Sequence, residues 1–125
     1  MIAQKFLDHG LNDRMNKILD ELAQILEQRK SSSSDKSYVA SLHAKGINKI
    51  LEKVGEEATE TIIAAKEYDE NVDATKKAVI HETADLWFHT MVMLSHLGLE
   101  QNKVLEELEK RFNISGLDEK ASRHS

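Results

Sequence analysis

Two short acidic motifs in the sequence each place a pair of carboxylates three residues apart. Glu57 and Glu60 lie in the stretch KVGEEATE, and Glu82 and Asp85 lie in the stretch ETADLWFH. Residues at positions i and i+3 are neighbours on the surface of an α-helix, so each pair is expected to present its carboxylates side by side. Mg²⁺ and Mn²⁺ prefer oxygen ligands. These four acids, which we call the acidic seam, therefore predict a divalent metal site if their two helices are adjacent.

Each acidic pair also has an ordinary structural explanation. Taken alone, the glutamates between Glu56 and Glu60 are typical of a solvated helix flank. The second pair fits this explanation less well, because the residues from Leu86 to Leu94 are apolar in nearly every direction around the helix axis, and such a helix is buried. A buried carboxylate needs a cation, a metal ion or a proton. Salt bridges with Lys or Arg, or a water-filled groove, are therefore the alternatives to a metal site.

Basic side chains near the first acidic pair indicate a phosphate ligand. Mg²⁺ usually binds together with substrate phosphates, because it takes few protein ligands and retains several waters. Lys49 and Lys53 are one helical turn apart and form a ladder that leads to Glu57, and Lys66 lies further along the same predicted helix. Ordinary surface lysines are the competing interpretation. Gly55 within this helix costs about 1 kcal/mol relative to alanine, which close packing or the close approach of a ligand would explain.

His89 is the histidine that lies on the line of the second acidic pair. We interpret it either as a metal ligand or as a buried or substrate-contacting side chain. The sequence contains no H-E-x-x-H zinc motif, no Glu-x-x-His pair of the kind found in di-iron bundles and no glycine-rich phosphate loop. It also contains no cysteine, which excludes a thiol nucleophile, a disulfide and a cysteine-ligated zinc ion.

The elements that must position these residues are predicted to be helices throughout. The sequence has no proline, and no stretch of convincing length alternates apolar and polar residues as a strand would. Apolar spacing and capping residues predict an all-α bundle of four to five helices, with Ser37 and Asp73 as N-caps and Gly46 as a C-cap. The predicted helices cover residues 11–30, a short segment within 37–46, 47–68, 74–97 and 100–112. Residues 30–36 are expected to form a linker, and about residues 116–125 a flexible tail.

The composition fits one folded, helix-rich domain that covers residues 1–125. The chain is 40% hydrophobic and 31% charged, with a formal net charge of −5. A negative chain is poorly suited to nucleic acid as its main partner, although a local basic cluster suffices for a small phosphorylated ligand. The N-terminus carries no long apolar run, so we expect no signal peptide, no membrane partner and a cytoplasmic location.

Together the two acidic motifs resemble the ExxE–ExxD signature of the all-α NTP pyrophosphatases, the MazG-like superfamily. Longer stretches between about Leu19 and Arg111 resemble the phosphoribosyl-ATP pyrophosphohydrolase family more closely, and these are SYVASLHAKGINKILEKVGEEATETIIAAKE, ETADLWFHTMVMLSHLGL and VLEELEKR. The resemblance implies a MazG-like all-α fold and a magnesium-dependent, nucleotide-binding hydrolase. Its reaction would convert 1-(5-phosphoribosyl)-ATP to 1-(5-phosphoribosyl)-AMP and pyrophosphate, which is the second step of histidine biosynthesis.

The resemblance also implies roles for individual residues. The acidic seam would hold Mg²⁺, and Mn²⁺ is the alternative ion. Either Glu56 or Glu57 would accept a proton from the attacking water, while Lys53 and Lys66 match family lysines that face phosphates. Phe88 stands where the family usually has a tyrosine. Because the chain has no cysteine, it looks monofunctional rather than fused to a zinc-dependent cyclohydrolase.

Two other functions share part of this pattern. A housekeeping NTP or dNTP pyrophosphatase of the same superfamily would use the same acids on other nucleotides. A non-catalytic helical interaction module would instead pair its carboxylates with Lys or Arg. Whichever function applies, we expect a homodimer or a higher homo-oligomer. Ile63 and the segment from Leu86 to Leu94 extend the apolar surface beyond what a chain of this size can cover.

Overall fold

A computed structural model of the protein describes residues 17–33, 35 and 37–112. Five α-helices make up the regular structure within these ranges, and no strand occurs there, which confirms the all-α prediction. Helix α1 covers residues 17–29, α2 covers Tyr38–Lys45, α3 covers Ile47–Lys66, α4 covers Asp73–His96 and α5 covers Gln101–Phe112. The predicted start of the first helix at residue 11 and the predicted tail lie outside the described residues.

The predicted caps of α2 are confirmed. Ser37 has an extended backbone, and its Oγ accepts a hydrogen bond of 3.2 Å from the amide of Ala40. Gly46 has a φ of +94°, a left-handed conformation that glycine adopts without strain, and its N–H donates to the carbonyl of Leu42 at 3.1 Å. A single glycine therefore ends α2 and lets α3 begin at the next residue.

The start of α4 differs from the prediction. Asp73 is the first residue of the helix and not its N-cap, a position that Val72 takes without any side-chain hydrogen bond. The preceding turn is held by Thr75 instead. Its Oγ lies 2.7 Å from the carbonyl oxygen of Val72 and accepts a bond of 3.0 Å from the amide of Asp69. This turn also ends α3 at Lys66, two residues before the predicted end.

Among α2 to α5, helices α3 and α4 form the most extensive pair. They run antiparallel because only residues 67–72 connect them. The hydrophobic core lies at one end of this pair, where α1 and α2 cover the first half of α3 and the second half of α4. Its buried members are Leu26, Val39, Leu42, Ile50, Met91 and Val92. The other half of the pair, which carries the acidic seam, has no comparable cover among the described residues.

Two side-chain hydrogen bonds join α2 to α4. The hydroxyl of Tyr38 lies 2.8 Å from Nε2 of His89, and Nδ1 of His43 lies 2.9 Å from Nδ1 of His96. The residues on α4 are two turns apart, so the bonds hold α2 along its length against the same side of α4. This arrangement fixes Tyr38 beside the acidic half of the helix pair.

Several large apolar side chains remain exposed in the single chain. Trp87 and Ile80 on α4 are 60% and 71% exposed, so the expectation that α4 is buried on every side is wrong for one chain alone. Leu51 and Ile62 form a second exposed apolar stripe along α3, on which Gly55 also lies. A Cβ added at Gly55 would meet no atom of the described residues within 4 Å, so close packing against that part of the chain does not explain this glycine. Of the helices described, none combines the length and apolar character that a membrane crossing requires.

Candidate metal centre

Three of the four acids of the seam meet where α3 and α4 face each other. The i, i+3 spacing sets Glu57 and Glu60 side by side on α3, and the antiparallel course of α4 brings Glu82 opposite them. One carboxylate oxygen from each residue lies within 4.8 Å of the corresponding oxygen of the other two. The sequence prediction that the two acidic pairs converge is thus met by three residues.

Two carboxylate oxygens in this group are buried and unpaired. Glu57 is only 6% exposed, and its Oε2 has no hydrogen-bond partner among the described residues. Oε2 of Glu82 is buried and unpaired in the same way, although the residue as a whole is half-buried. An unpaired buried acceptor such as that of Glu57 costs about 1–3 kcal/mol. These two oxygens therefore call for a proton or a cation that the described residues do not supply.

The pKa values of two carboxyl groups in this cluster, those of Glu57 and Glu82, are raised. Burial raises the pKa of the Glu57 carboxyl and of the Glu82 carboxyl. Glu60 raises both pKa values further, through its negative charge and because a protonated neighbour can donate a hydrogen bond to it. Three ionised carboxylates offer one another no donor. The group thus retains a proton more readily than isolated glutamates do, and a bound cation would displace that proton.

Asp85 takes part in a second, overlapping group. It lies with Glu82 and His81 in a cluster whose ligand atoms are within 4.8 Å of one another. Nε2 of His81 is 3.2 Å from Oδ2 of Asp85, and both side chains are more exposed than that of Glu57. Glu82 belongs to both groups and therefore links Asp85 to the pair on α3. Sequence reasoning missed His81, although its i, i+4 spacing to Asp85 was a usable signal.

Thr61 ties the two helices together at the level of the acids. Its Oγ1 lies 2.7 Å from the carbonyl oxygen of Glu57 and 3.1 Å from that of Glu82. The hydroxyl carries one hydrogen, so it donates to these two carbonyls as a shared bond. The backbones that carry the two acids are thereby held at a fixed separation. Nothing in the local sequence pattern marked this threonine.

Among the lysines and arginines that the structure describes, Lys53 lies nearest to the metal group. Its Nζ lies 2.9 Å from Oε2 of Glu56 and 3.6 Å from Oε1 of Glu57. The hydrogen bond to Lys53 lowers the pKa of Glu56, an exposed side chain, and that same bond raises the pKa of Lys53. Lys49 lies one turn earlier and pairs with Glu52 at 3.4 Å. The two lysines and Glu57 thus follow one another along α3 as the sequence predicted.

The remaining predicted lysine lies further from the acids. Lys66 is the last residue of α3 and is exposed, about two turns beyond Glu60. Over the described part of the chain, no Lys or Arg nitrogen comes within 4.0 Å of a carboxylate oxygen of Glu60 or Glu82. Within the described ranges, salt bridges with Lys or Arg therefore do not account for Glu60 and Glu82.

His89 is a buried histidine whose two ring nitrogens are both engaged. It is 5% exposed, and its Nδ1 lies 2.7 Å from the backbone carbonyl of Asp85. A carbonyl oxygen only accepts, so Nδ1 carries the hydrogen, and in the neutral ring Nε2 accepts from the hydroxyl of Tyr38. This arrangement fits the interpretation as a satisfied buried histidine. It leaves no ring nitrogen free for a metal ion, and a contact between His89 and substrate stays a prediction.

Tyr38 is the aromatic residue at the edge of the site that sequence reasoning missed. It is the first residue of α2, and its side chain is half exposed. Its ring lies 6.4 Å from that of Phe88, centre to centre, with the planes 20° apart. The contact joins residues 50 positions apart in the sequence, so it becomes visible only once α2 is packed on α4.

The sequence was also compared with known protein families. The family model described as phosphoribosyl-ATP pyrophosphohydrolase matches residues 19–112, which is 94 of the 125 residues of the chain. The matched range contains both acidic groups, the three lysines and the aromatic pair of Tyr38 and Phe88.

Proposed function

The chain belongs to the phosphoribosyl-ATP pyrophosphohydrolase family, and from that premise we propose how its acidic seam carries out the reaction. The protein is a hydrolase, a phosphoribosyl-ATP diphosphatase of histidine biosynthesis. In the proposed reaction, water attacks a phosphorus atom of 1-(5-phosphoribosyl)-ATP, and the P–O bond that bridges the α and β phosphates breaks. The products are 1-(5-phosphoribosyl)-AMP and pyrophosphate.

The proposed metal site lies between Glu57, Glu60 and Glu82, with Asp85 beside Glu82. One observation carries it: buried carboxylate oxygens of Glu57 and Glu82 lack any partner among the described residues. Three converging carboxylates are a donor set suited to Mg²⁺, and Mn²⁺ is the alternative ion. When bound, the ion would neutralise phosphate charge and lower the pKa of a coordinated water.

We assign Glu56 as the carboxylate that accepts the proton of the attacking water. Glu57 belongs to the converging group of three acids, whereas Glu56 lies outside it and is exposed to water. The Glu56 carboxylate is bonded to Lys53 at 2.9 Å. If Lys53 moves its ammonium group toward a phosphate, it releases Glu56 and raises the pKa of that carboxyl toward the range of a useful base.

The lysines supply positive charge along the substrate. Lys53 and Lys49 follow Glu57 toward the start of α3, so a phosphate chain that ends at the acids would pass both ammonium groups. Positive charge at these positions would stabilise the negative charge that develops on the phosphates. Lys66 remains the third proposed phosphate contact, from the far end of α3.

We also propose that the protein acts as a homodimer or a higher homo-oligomer in the cytoplasm. The exposed apolar stripe of α3, with Leu51 and Ile62, and the exposed Ile80 and Trp87 of α4 support self-association. Isolated exposed apolar residues are ordinary, but several along two packed helices are typical of an interface.

The proposed function is tested by pyrophosphate release from phosphoribosyl-ATP. Purified protein with Mg²⁺ should release pyrophosphate, and Glu82→Gln should reduce the rate by about 100-fold or more. Glu56→Gln should lower kcat but keep metal binding, whereas Glu57→Gln should lose metal binding as well. Absence of pyrophosphate release, or full activity of Glu82→Gln, would contradict the proposal. A panel of NTPs and dNTPs in the same assay tests the alternative of a housekeeping nucleotide pyrophosphatase.

A further inference from the structure

The side chain of Tyr38 is held by two contacts with α4 and is half exposed. Its hydroxyl is bonded to Nε2 of His89 at 2.8 Å, and its ring lies roughly parallel to that of Phe88. The rings of Tyr38 and His89 lie 5.8 Å apart, centre to centre, with their planes at 84°. Nevertheless the residue is 51% exposed. An aromatic plane that is fixed in this way loses little conformational freedom when a ligand stacks on it.

Tyr38 also lies next to the proposed phosphate and metal groups. Its bonding partner His89 is bonded in turn to the backbone of Asp85. Burial raises the pKa of the Tyr38 hydroxyl, while the charge of Lys53 lowers it and the charges of Glu57 and Glu56 raise it. The bonds from Tyr38 through His89 to the backbone of Asp85 place the aromatic ring beside the part of α4 that carries the acidic seam.

The length of this region fits a nucleotide. Seven residues of α4 separate His89, at the level of Tyr38, from Glu82, and this corresponds to roughly 10 Å along the helix. That distance is comparable to the span of a nucleotide from its base to its β-phosphate. A base placed at Tyr38 would therefore bring the phosphates past the lysines to the acids.

We propose that the open face of Tyr38, backed by Phe88, is the surface on which the purine ring of the substrate stacks. This inference rests on the proposed function, because it takes the acids as the phosphate end of the same substrate. Stacking uses the π-face of the ring, so the hydroxyl remains bonded to His89 and sets only the orientation of the plane. Tyr38 thereby selects substrates that carry a flat heteroaromatic base.

The test compares Tyr38→Leu with Tyr38→Phe in the full chain, with AMP and pyrophosphate as separate ligands in calorimetric titrations with Mg²⁺. Tyr38→Leu should weaken AMP binding roughly tenfold or more, which is the range for loss of a base–aromatic stack. Pyrophosphate binding should stay unchanged, since it lacks a base. Tyr38→Phe should keep most of the AMP affinity, because it keeps the aromatic plane and loses only the bond to His89. Tyr68→Leu, which removes another half-exposed tyrosine after α3, is the matched control and should leave both ligands unaffected.

Several outcomes would overturn the inference. If Tyr38→Leu weakens AMP and pyrophosphate equally, the residue supports the fold and not the base. If Tyr38→Phe loses as much AMP affinity as Tyr38→Leu, the hydroxyl matters and stacking does not. Equal weakening of ribose 5-phosphate would assign the surface to a sugar. Thermal melts report whether Tyr38→Leu folds, and Tyr38→Phe tests the role of the hydroxyl in either case.

The inference and the proposed function fail separately. Full turnover by Glu82→Gln would refute the metal site whatever Tyr38 does. Loss of turnover in Glu82→Gln, together with unchanged AMP binding in Tyr38→Leu, would refute only the stacking surface.

Discussion

Replacing Glu57 by glutamine should make the metal-free protein more stable. The buried carboxylate has an unpaired oxygen, and Glu60 and Glu82 lie beside it with further negative charge. Glutamine keeps the shape and removes the charge, and its amide can donate to the neighbouring carboxylates. The substitution therefore reduces the repulsion among the three carboxylates. It also provides a hydrogen-bond donor for a neighbouring carboxylate oxygen.

The size of the gain follows from the surroundings of Glu57. An unpaired buried acceptor costs about 1–3 kcal/mol, and Lys53 at 3.6 Å offsets part of this for the charged form. We expect a net gain of about 1 kcal/mol, which for a domain of this size raises the melting temperature by roughly 3–6 °C. The raised pKa of Glu57 means that the folded state binds more protons than the unfolded state above pH 4.5. The parent protein therefore loses stability as pH rises through that range, so the gain should be full at pH 8 and vanish toward pH 4.5.

The assay is thermal unfolding in a chelator and then with Mn²⁺, at one fixed protein concentration. In the parent protein, an ion at 100 times its Kd should add about 2.7 kcal/mol of stability, whereas Glu57→Gln should lose most of this increment. Glu52→Gln, which alters an exposed pair on the same helix, is the control and should change neither melt. A lower melting temperature for metal-free Glu57→Gln, or an undiminished response to Mn²⁺, would refute the reasoning.

Three further predictions concern the contacts that shape the fold. Burial and the neighbouring His96 lower the pKa of His43. The contribution of this residue to the free energy of unfolding should therefore be fully present above pH 6.5 and decline as the pH falls below it. Denaturant titrations from pH 7.5 to 5.5 should show a shallower decline in His43→Phe than in the parent, and equal slopes would contradict this. Thr61→Val should lower the free energy of unfolding by about 1 kcal/mol and weaken metal binding. Thr61→Ser, which keeps the hydroxyl, should preserve both. A stable Thr61→Val with unchanged Mn²⁺ affinity would show that the shared bond is dispensable. Trp87→Glu should reduce the molar mass measured by light scattering, and an unchanged mass would remove this face of α4 from the proposed interface.

Most of the helical architecture could be predicted because local signals decide it. Ser37 and Gly46 act through their own backbone and side-chain chemistry, and both were assigned correctly. Asp73 was assigned wrongly as a cap, because the turn before α4 is instead held by Thr75, which bonds back across six residues to Asp69. A capping rule that reads one residue at a time does not register such a bond.

The residues of the candidate site were likewise predicted only in part. The convergence of Glu57 and Glu60 with Glu82 follows from helical spacing and a short connection, so the sequence sufficed. Tyr38 and Thr61 were missed because their roles depend on how α2 and α4 are packed, and no local pattern records that packing. Whether any of the predicted residues contacts metal or phosphate stays a prediction.

Three different faces of helix α3 have a role in the fold or in the proposed site. Ile50 faces the core, Glu57 faces the proposed metal and Ile62 lies on the exposed apolar stripe, while α5 buries none of its residues. In a library of random substitutions in α3 and α5, α3 should therefore tolerate few substitutions, whereas α5 should tolerate many substitutions to polar residues. Such a helix also constrains how the protein can diverge, since a change that improves one of its faces tends to disturb a neighbouring face less than one turn away.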